Sequence, residues 1–330
     1  MPRPVSDQRL RTLLLEWPLD GAYVGDAFDA STRNDNLLVT DSEGTRYVLH
    51  RFYRNPDLAR IGFQLRFQQH LLDGGVPVPE IIATRSGETV AQAEGSWSLF
   101  SFVEGEHYDF DRMEQVDKAA RTLARFHLVS EQFDEPEPDY ELRINLRDYW
   151  ADWPRLVGEL DELFAGAGVD EELVYLREWR EQLVAELPLE RFDALPGRWI
   201  HEDYHGRNVL YVGDRITAVL DFDNLQGGPW AADIADAIHR FGREHRGSSH
   251  IRTAVAQRFI AAYETVRPLA PGELEAIPRL MGHRAPFAAI YRWLQGVGED
   301  ALAAFRTDTE HLRTLREQAA RLAPLLLRGG

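Results

Sequence analysis

The sequence predicts an α+β protein whose N-terminal part is rich in β-strands and whose C-terminal part is mainly helical. Short β-like runs separated by turn residues continue up to Gly105, whereas long helical periodicities begin at Met113. A strand-like island then interrupts the helices between residues 198 and 222. A chain of 330 residues can hold one large domain or two coupled ones. We therefore expect two lobes, at residues 1–104 and 105–330.

The N-terminal lobe is predicted from apolar spacing and from turn residues. Asp41-Ser42-Glu43-Gly44 has the composition of a turn between two β-like runs, so these runs should form a hairpin. Pro77 and Pro79 should keep the next segment extended, since a proline holds its predecessor out of the helical region. The expected elements are a helix at 6–16, strands at 36–40 and 47–53, a helix at 57–73, and strands near 89–93 and 96–102.

The C-terminal lobe is predicted to be helical around the small β island. Pro136, Pro138 and several acids indicate a loop over residues 130–141. The expected elements are helices at 113–130 and near 170–187, strands at 198–200, 208–212 and 216–222, and further helices after Pro229.

Composition and charge exclude several classes of function. The absence of cysteine excludes disulfides, zinc–thiolate sites and a thiol nucleophile. The apolar runs are too short to span a bilayer, and the N-terminus lacks the apolar core of a signal peptide, so we expect a cytoplasmic protein without a membrane partner. The formal charge of −17 disfavours nucleic acid as a partner. This charge fits either a solvated acidic surface or a groove that attracts a cationic substrate.

Three residues of the β island have the clearest chemistry: Asp203, Asn208 and Asp221. Phosphoryl transfer from ATP needs a carboxylate that aims the accepting hydroxyl, and oxygen ligands that hold metal ions against the phosphates. Asp203 can be this catalytic carboxylate. Asn208 follows shortly after it, and Asp221 lies on the return strand of a hairpin turned at Gly213-Asp214, so both can be metal ligands. The pattern therefore predicts a phosphotransferase that uses ATP and Mg²⁺.

This pattern resembles the aminoglycoside phosphotransferase and choline kinase superfamily. The pattern of that family is His-x-Asp, four residues, Asn, and then a hairpin that ends in an aliphatic residue, Asp and an aromatic residue. It stands here as His201-Glu202-Asp203, Asn208 and Leu220-Asp221-Phe222. Gly228-Pro229 and Asp233 match what commonly follows. The resemblance covers nearly the whole chain and implies a two-lobed, protein-kinase-like fold.

The resemblance also implies roles for residues around the motif. His201 is expected to bond backbone carbonyls around the catalytic loop, and Asp233 is expected to anchor this loop through hydrogen bonds. Glu202 stands where the family commonly has a glycine.

In the first lobe the resemblance implies a nucleotide-binding set. The segment 31–37 looks like the family's phosphate loop, although such a segment can equally be an ordinary polar turn. Arg51 stands where the family has a strand cation that contacts the α- and β-phosphates of ATP. Gln64 stands where a helix glutamate usually pairs with this cation, so the cation should have a neutral partner. The expected cofactor-binding residues are Ser31, Thr32, Asn34, Arg51, Gln64 and Phe102.

Three alternative functions stay open from the sequence. His201-Glu202-x-x-His205 spells the zinc-metalloprotease signature, but that motif requires a continuous helix, and Gly206 with the flanking strand-like runs argues against one. A nucleotide-binding pseudokinase would explain why Gln64 stands in place of the family's glutamate, although the catalytic base and both metal ligands are retained. A protein Ser/Thr kinase of the bacterial stress-kinase type belongs to the same superfamily.

The predicted acceptor is a small molecule with a hydroxyl group. The superfamily phosphorylates amino alcohols, amino acids, amino sugars and other antibiotics, and segments 52–54 and 146–150 resemble its homoserine-kinase-like and stress-kinase branches. The acidic balance and a set of aromatic and acidic residues near the C-terminus favour a neutral or cationic acceptor, although most of these residues can simply line a helical core and its solvated face. These residues are Tyr291, Trp293, Glu299, Asp300, Phe305, Asp308 and Glu310. The oligomeric state stays open.

Overall fold

The structure is a computed structural model that describes residues 6–27, 35–52, 57–138, 147, 162, 164, 166–282 and 298–326. The chain divides into two compact units. The first comprises Met1–His107, Gln132–Glu141 and Asn208–Asn224, and the second comprises Tyr108–Glu131, Leu142–Arg207 and Leu225–Gly330. Residues 208–224 therefore belong to the unit that contains the N-terminal strands. The lobe limits 1–104 and 105–330 stay a prediction.

The described elements are numbered in chain order. They are α1 (Asp7–Leu14), β1 (Tyr23–Ala27), β2 (Asp35–Thr40), β3 (Arg46–Phe52), α2 (Leu58–Asp73), β4 (Ile81–Ile82), β5 (Ala91–Gln92), β6 (Ser96–Ser101), α3 (Met113–Ser130), α4 (Asp170–Glu186), α5 (Leu189–Asp193), β7 (Gly197–Ile200), β8 (Val209–Val212), β9 (Arg215–Val219), β10 (Gln226–Pro229), α6 (Trp230–Gly242), α7 (Thr253–Glu264), α8 (Pro271–Leu280) and α9 (Gly298–Leu326).

The first unit is built on an antiparallel sheet with the strand order β1-β2-β3-β6-β4, in which β5 also pairs with β6. In the register of β3 with β6, Leu49 lies opposite Leu99 and Arg51 lies opposite Trp97. Successive side chains of a strand point to opposite faces. Leu49 and Arg51 therefore share one face of the sheet, and Phe52 lies on the other.

Each face of this sheet is covered by a helix of the same unit. Leu10 and Leu13 of α1 pack with Leu49 on one face, in a cluster that also contains Trp97. Ile61 and Leu65 of α2 pack with Phe52 on the other face. Burying one such aliphatic side chain stabilises a fold by about 1.5–3 kcal/mol, so these clusters fix which side chains of β3 meet α2.

The β8–β9 hairpin joins the first unit through main-chain hydrogen bonds. The hairpin turns at Gly213, whose φ of +62° favours glycine. Glu106 and Tyr211 exchange two backbone bonds of 2.8 Å, and the N–H of Val219 donates to the carbonyl of Pro77 at 2.7 Å. These bonds explain why the hairpin belongs to the first unit although about a hundred residues separate it from the N-terminal strands in the sequence.

The second unit is a helical assembly around the short β7–β10 ladder. Helix α3 packs on α7, and α6 packs on α8. Helix α6 is buried along nearly its whole length, from Trp230 to Gly242. A helix that is apolar on most sides belongs in a core. Because α6 begins directly after β10, its first turn is held firmly beside the end of β7.

The α+β class predicted from the sequence is confirmed, and most of the expected elements are present. The sequence prediction missed β1 and β10, and it extended β9 to residue 222, whereas the strand ends at Val219. The strand ends early because Asp221 has a left-handed φ of +64°, which no strand residue can keep. None of the described helices is both long and apolar enough to cross a membrane.

Candidate active site

The catalytic loop follows β7 and is held by Asp233. Strand β7 ends at Ile200, and residues 201–207 continue as a loop. Asp233, in the first turn of α6, accepts the backbone N–H of His201 at one carboxylate oxygen and that of Glu202 at the other, both at 2.7 Å. A hydrogen bond to a charged group contributes about 1.5–3 kcal/mol. The predicted anchoring of the loop by Asp233 is confirmed.

A buried histidine supports this anchor. The His127 Nε2 lies 3.2 Å from the Asp233 carboxylate, and its Nδ1 lies 2.7 Å from the Tyr263 hydroxyl. Burial holds the pKa of His127 below its usual value, so the ring is neutral near pH 7. A neutral ring with these partners donates Nε2–H to Asp233 and accepts the tyrosine O–H at Nδ1. Sequence reasoning missed His127 and Tyr263, since both are distant along the chain.

The pKa of Asp233 reflects opposing effects. Complete burial acts to raise the pKa of its carboxyl, but the bonds from His127 and His201 outweigh burial and hold the pKa below the usual value. Asp233 is therefore ionised at neutral pH, and this charge strengthens both bonds to the loop backbone.

Glu202 has a backbone conformation that favours glycine. Its φ is +63°, in the left-handed region where a Cβ crowds the backbone. The strain is maintained because the Glu202 N–H is tied to Asp233. This conformation gives a physical reason for the glycine that the family commonly has at this position.

Asp203 lies beside two basic side chains. Its Oδ1 is 3.5 Å from Arg240 Nη2 and 3.6 Å from His205 Nε2, and its side chain is 14% exposed. A carboxylate that is partly exposed can reach a substrate hydroxyl. The Asp203 N–H donates to His201 Nδ1 at 3.3 Å, and the expected bonds of the His201 ring to backbone carbonyls stay a prediction. Arg240 was not predicted, because only the packing of α6 brings it here.

Gly206 is required by close packing against Tyr108. A Cβ at residue 206 would lie 2.4 Å from the Cβ of Tyr108, far inside van der Waals contact. The carbonyl of Gly206 also accepts the N–H of Tyr108 at 2.9 Å. The end of the catalytic loop is therefore fixed by this contact.

The two predicted metal ligands lie at the open end of the β8–β9 hairpin. The N–H of Leu220 donates to the carbonyl of Asn208 at 2.8 Å, so Asn208 and Asp221 lie on neighbouring backbone segments. Asn208 is buried, whereas Asp221 is exposed. Mg²⁺ takes oxygen ligands and is usually held by one or two carboxylates together with phosphates and waters. An amide oxygen and a carboxylate at one hairpin end fit this preference.

Gln64 supports the turn that carries Asp221. Its side-chain amide donates to the carbonyls of Phe222 at 3.1 Å and Asp223 at 3.4 Å. The ring of Phe222 lies 6.5 Å from that of Phe67, also on α2. Within the described residues, the hydrogen bonds of Gln64 go to this turn and not to Arg51.

Arg51 lies on the opposite face of the sheet from α2. Its guanidinium carbon is 5.1 Å from the centroid of the Trp97 ring, and Nη2 donates to the carbonyl of Glu94. Because successive side chains of β3 point to opposite faces of the sheet, Arg51 points away from α2, which carries Gln64. The expected pairing of Arg51 with Gln64 is therefore wrong. His50 is the neighbour that faces α2; its Nδ1 lies 2.7 Å from Asn36 Oδ1. The contact of Arg51 with ATP phosphates stays a prediction.

The nucleotide-binding role of Phe102 and the acceptor-binding role of Phe305 stay predictions. Phe102 follows β6, its N–H donates to the carbonyl of Arg46 at 3.1 Å, and the Arg46 guanidinium lies 4.1 Å from its ring centroid. Near the C-terminus, Phe305 stacks on Phe164 with centroids 4.5 Å apart. Several predicted positions lie outside the described residues or side chains: Ser31, Thr32, Asn34, Tyr291, Trp293, Glu299 and Asp300.

The zinc-protease signature lacks the helix that it requires. Residues 201–205 form neither helix nor strand, and the left-handed φ of Glu202 interrupts any helical path between His201 and His205. The two imidazoles therefore do not sit one turn apart on a helix face, which is the geometry that the signature encodes.

Comparisons with known proteins show the family of this chain. The sequence matches the model of the phosphotransferase enzyme family over residues 26–275. The homoserine kinase of Agrobacterium fabrum (strain C58 / ATCC 33970) is 25% identical over 316 residues, which cover 94% of this chain and 93% of that protein. Homoserine kinases of other bacteria are similar to the chain as well.

Solved structures share the fold. A microcompartment-associated aminopropanol kinase has a TM-score of 0.71 at 18% identity, covering 98% of this chain and 99% of its own. The amicoumacin kinase hAmiN, solved with AMP-PNP, Ca²⁺ and Ami, has a TM-score of 0.70 at 14% identity, covering 96% of this chain and 94% of its own. The fold is therefore kinase-like, and the family match includes the predicted catalytic, metal-binding and nucleotide-binding residues but not the predicted acceptor-binding residues near the C-terminus. The chain belongs to the phosphotransferase enzyme family and is a small-molecule kinase.

Proposed function

We propose that this kinase transfers the γ-phosphate of ATP to a hydroxyl of a small hydroxy amino acid or amino alcohol, with Asp203 as the catalytic residue and Asn208 and Asp221 as Mg²⁺ ligands. The observation that carries the proposal is the anchored catalytic loop. Asp233 fixes the backbone directly before Asp203 through two bonds of 2.7 Å. Catalysis of phosphoryl transfer depends mostly on positioning and charge stabilisation, and a rigid loop serves both.

Asp203 receives the proton of the acceptor hydroxyl in this proposal. Arg240 and His205 flank the carboxylate and keep it oriented. When bound, Mg²⁺ neutralises charge that develops on the phosphate oxygens. Asn208 and Asp221 would hold it, and Gln64 would keep the Asp221 turn in place through Phe222 and Asp223.

The nucleotide would be held by the predicted set in the first unit. Arg51 would contact the α- and β-phosphates, and Phe102 would contact the nucleotide at the end of β6. Backbone N–H groups of a polar loop bind phosphate oxygens well. This supports phosphate binding by the segment that contains Ser31, Thr32 and Asn34.

The acceptor is proposed to be neutral or cationic overall and small. The homoserine kinases among the relatives support a small hydroxy amino acid over a protein Ser/Thr acceptor. A zwitterionic amino acid has no net charge, so it meets the expectation from the acidic composition.

The metal role is tested by ATP binding with and without Mg²⁺. ATP should bind the parent chain more tightly with Mg²⁺, and Asp221→Ala should abolish this gain. Asp214→Ala removes an exposed carboxylate at the turn of the same hairpin and should leave the gain unchanged. If Asp221→Ala kept the full Mg²⁺ effect, Asp221 would not be a metal ligand.

A further inference from the structure

A basic cluster lies at the C-terminal end of α6 and on α9, and one of its members contacts Asp203. We call it the α6–α9 cluster; it consists of Arg240, Arg243, His239 and His311. Arg240 reaches Asp203 at 3.5 Å and Asp236 at 3.3 Å. The two imidazole Nε2 atoms lie 3.1 Å apart, and Arg243 Nη2 lies 2.9 Å from His239 Nε2 and 3.4 Å from His311 Nε2.

This cluster has more hydrogen-bond donors than acceptors. The Nε2 atom of His239 is approached by Arg243 Nε at 3.3 Å, by Arg243 Nη2 at 2.9 Å and by His311 Nε2 at 3.1 Å. An imidazole nitrogen has a single lone pair, so it cannot satisfy all three approaches. An oxyanion between these groups would supply the missing lone pairs, because a carboxylate accepts several hydrogen bonds at its two oxygens.

The guanidinium groups of Arg240 and Arg243 lie close enough within the cluster to repel each other. No ion pair between described residues involves Arg243, and Asp236, which is bonded to Arg240, attracts Arg243 less than Arg240 repels it. Burial, and then the charge of Arg240, lower the pKa of Arg243 to about 10, so its guanidinium stays charged at neutral pH. Burial and the charges of Arg243 and Arg240 lower the pKa of His311 to about 4. Such mutual repulsion is relieved when an anion binds.

The position of the α6–α9 cluster would allow it to bind a group at the far end of the acceptor molecule. Arg243 lies about one helical turn beyond Arg240, roughly 4.5 Å along the axis of α6. If Asp203 aims the acceptor hydroxyl, a short carbon chain on that acceptor would carry its other end towards Arg243. Arg243 and His311 are half-buried, so both retain a surface that a ligand can reach.

We propose that the α6–α9 cluster binds a carboxylate of the phosphoryl acceptor, with Arg243 as the main specificity-determining residue. This proposal rests on the proposed function, and it narrows the acceptor to a hydroxy acid or hydroxy amino acid. The alternative role is purely structural: the cluster would join α6 to α9 and leave substrate choice unaffected. The two roles differ in a measurable way, because only the first depends on the charge of the acceptor.

The test compares two acceptors that differ only in the carboxylate. L-homoserine carries it, and the amino alcohol obtained when hydrogen replaces this carboxylate does not. For Arg243→Gln, the KM for L-homoserine should rise about ten- to a hundred-fold, the effect of losing a charge-assisted bond, while kinetics with the amino alcohol stay unchanged. Arg243→Lys should recover part of the loss. Arg246→Gln, at an exposed residue of the following loop, is the control and should behave like the parent.

A binding measurement keeps the proposal testable without turnover. L-homoserine should shift the imidazole resonances of His311 in NMR spectra and raise the pKa of that ring, whereas the amino alcohol should do neither. Equal losses for both acceptors in Arg243→Gln, or an unshifted His311 with L-homoserine, would overturn the proposal. The Mg²⁺-dependent binding of ATP tests the proposed function separately, so failure of one is distinguishable from failure of the other.

Discussion

The side-chain amide of Gln64 donates to the backbone carbonyl of Phe222 at 3.1 Å, and this bond joins α2 to the turn that carries Asp221. The sequence predicted a different partner for Gln64, the guanidinium of Arg51. A buried amide with two carbonyl partners is well satisfied, since its N–H groups are donors. Gln64 is thus a support of the predicted metal ligand and not the neutral partner of a cation.

Replacing Gln64 with glutamate should therefore damage the Asp221 turn. A carboxylate would lose both donor bonds and face two carbonyl oxygens, which should lower the free energy of unfolding by about 2–4 kcal/mol. Gln68→Glu is the matched control, because Gln68 is also buried on α2 and donates to the carbonyl of Pro79 at 2.8 Å. Urea unfolding should show losses in both variants, whereas Mg²⁺–ATP affinity should fall only in Gln64→Glu. Equal ATP affinities in the two variants would contradict this role.

Arg51 should show separate effects on stability and on nucleotide binding. The Arg51→Gln variant loses its contact with Trp97, which should lower the free energy of unfolding by about 1–2 kcal/mol. If Arg51 also contacts phosphates, its ATP affinity should fall about tenfold, and Arg51→Lys should retain most of that affinity. Calorimetric titration with ATP measures this. Unchanged affinity in Arg51→Gln would make the residue structural and would move the family alignment of β3 towards His50.

Asp203 should affect turnover far more than nucleotide binding. Asp203→Asn keeps the shape of the side chain but removes the carboxylate that accepts the hydroxyl proton. Turnover should fall by roughly two to four powers of ten, the effect of losing an acid–base group, while ATP affinity stays close to that of the parent. ADP release and equilibrium binding measure the two quantities. Asp214→Asn is the control, and a fully active Asp203→Asn would exclude the base role.

Glu202 offers a test of backbone strain at the catalytic loop. At a φ of +63°, glycine should be favoured over alanine by about 1 kcal/mol, because alanine keeps the crowded Cβ. We expect Glu202→Gly to unfold at a higher urea concentration than Glu202→Ala. Both variants lose the same carboxylate, so their difference isolates the conformation. Equal midpoints would show that the residue adopts another φ.

His311 should make stability depend on pH under mildly acidic conditions. Its folded pKa of about 4 lies below the ordinary value of about 6.5, so between these pH values the unfolded chain binds more protons. The free energy of unfolding should therefore be unaffected by His311 above about pH 6.5 and should fall as the pH is lowered towards 4. His311→Gln should flatten this slope, whereas His245→Gln, at an exposed position, should not. Thermal unfolding across this range measures both slopes, which must differ for this explanation to hold.

The helices and most strands were predictable because their apolar residues follow the periods of 3.6 and 2. Strand β10 was not, since its sequence Gln226-Gly227-Gly228-Pro229 has the composition of a turn. It forms a strand because Gly197 of β7 allows close approach: a Cβ there would lie 2.2 Å from the carbonyl oxygen of Gly228. Such a contact between distant segments leaves no periodic signal in the sequence.

The candidate site divides in the same way. Asp203, Asn208, Asp221 and Asp233 could be predicted as site residues because they lie within a short stretch with constrained spacing. Arg240 and His127 could not be predicted, because their contacts with Asp203 and Asp233 arise from packing between segments that are far apart in the chain. The pairing of Arg51 with Gln64 was wrong because a motif position does not specify which face of a strand a side chain occupies.

The contact between Gly206 and Tyr108 has a consequence for mutational scanning of this enzyme. A library of all single substitutions should show residue 206 to be as intolerant as Asp203, although glycine carries no reactive group. Every replacement would bring its Cβ against the Cβ and ring of Tyr108 and would displace the end of the catalytic loop. Glycine at position 108, which removes the Tyr108 Cβ, should restore tolerance at 206 but not at 203. Such a second-site rescue experiment would distinguish a residue that is constrained by close packing from a residue that is constrained by its role in catalysis.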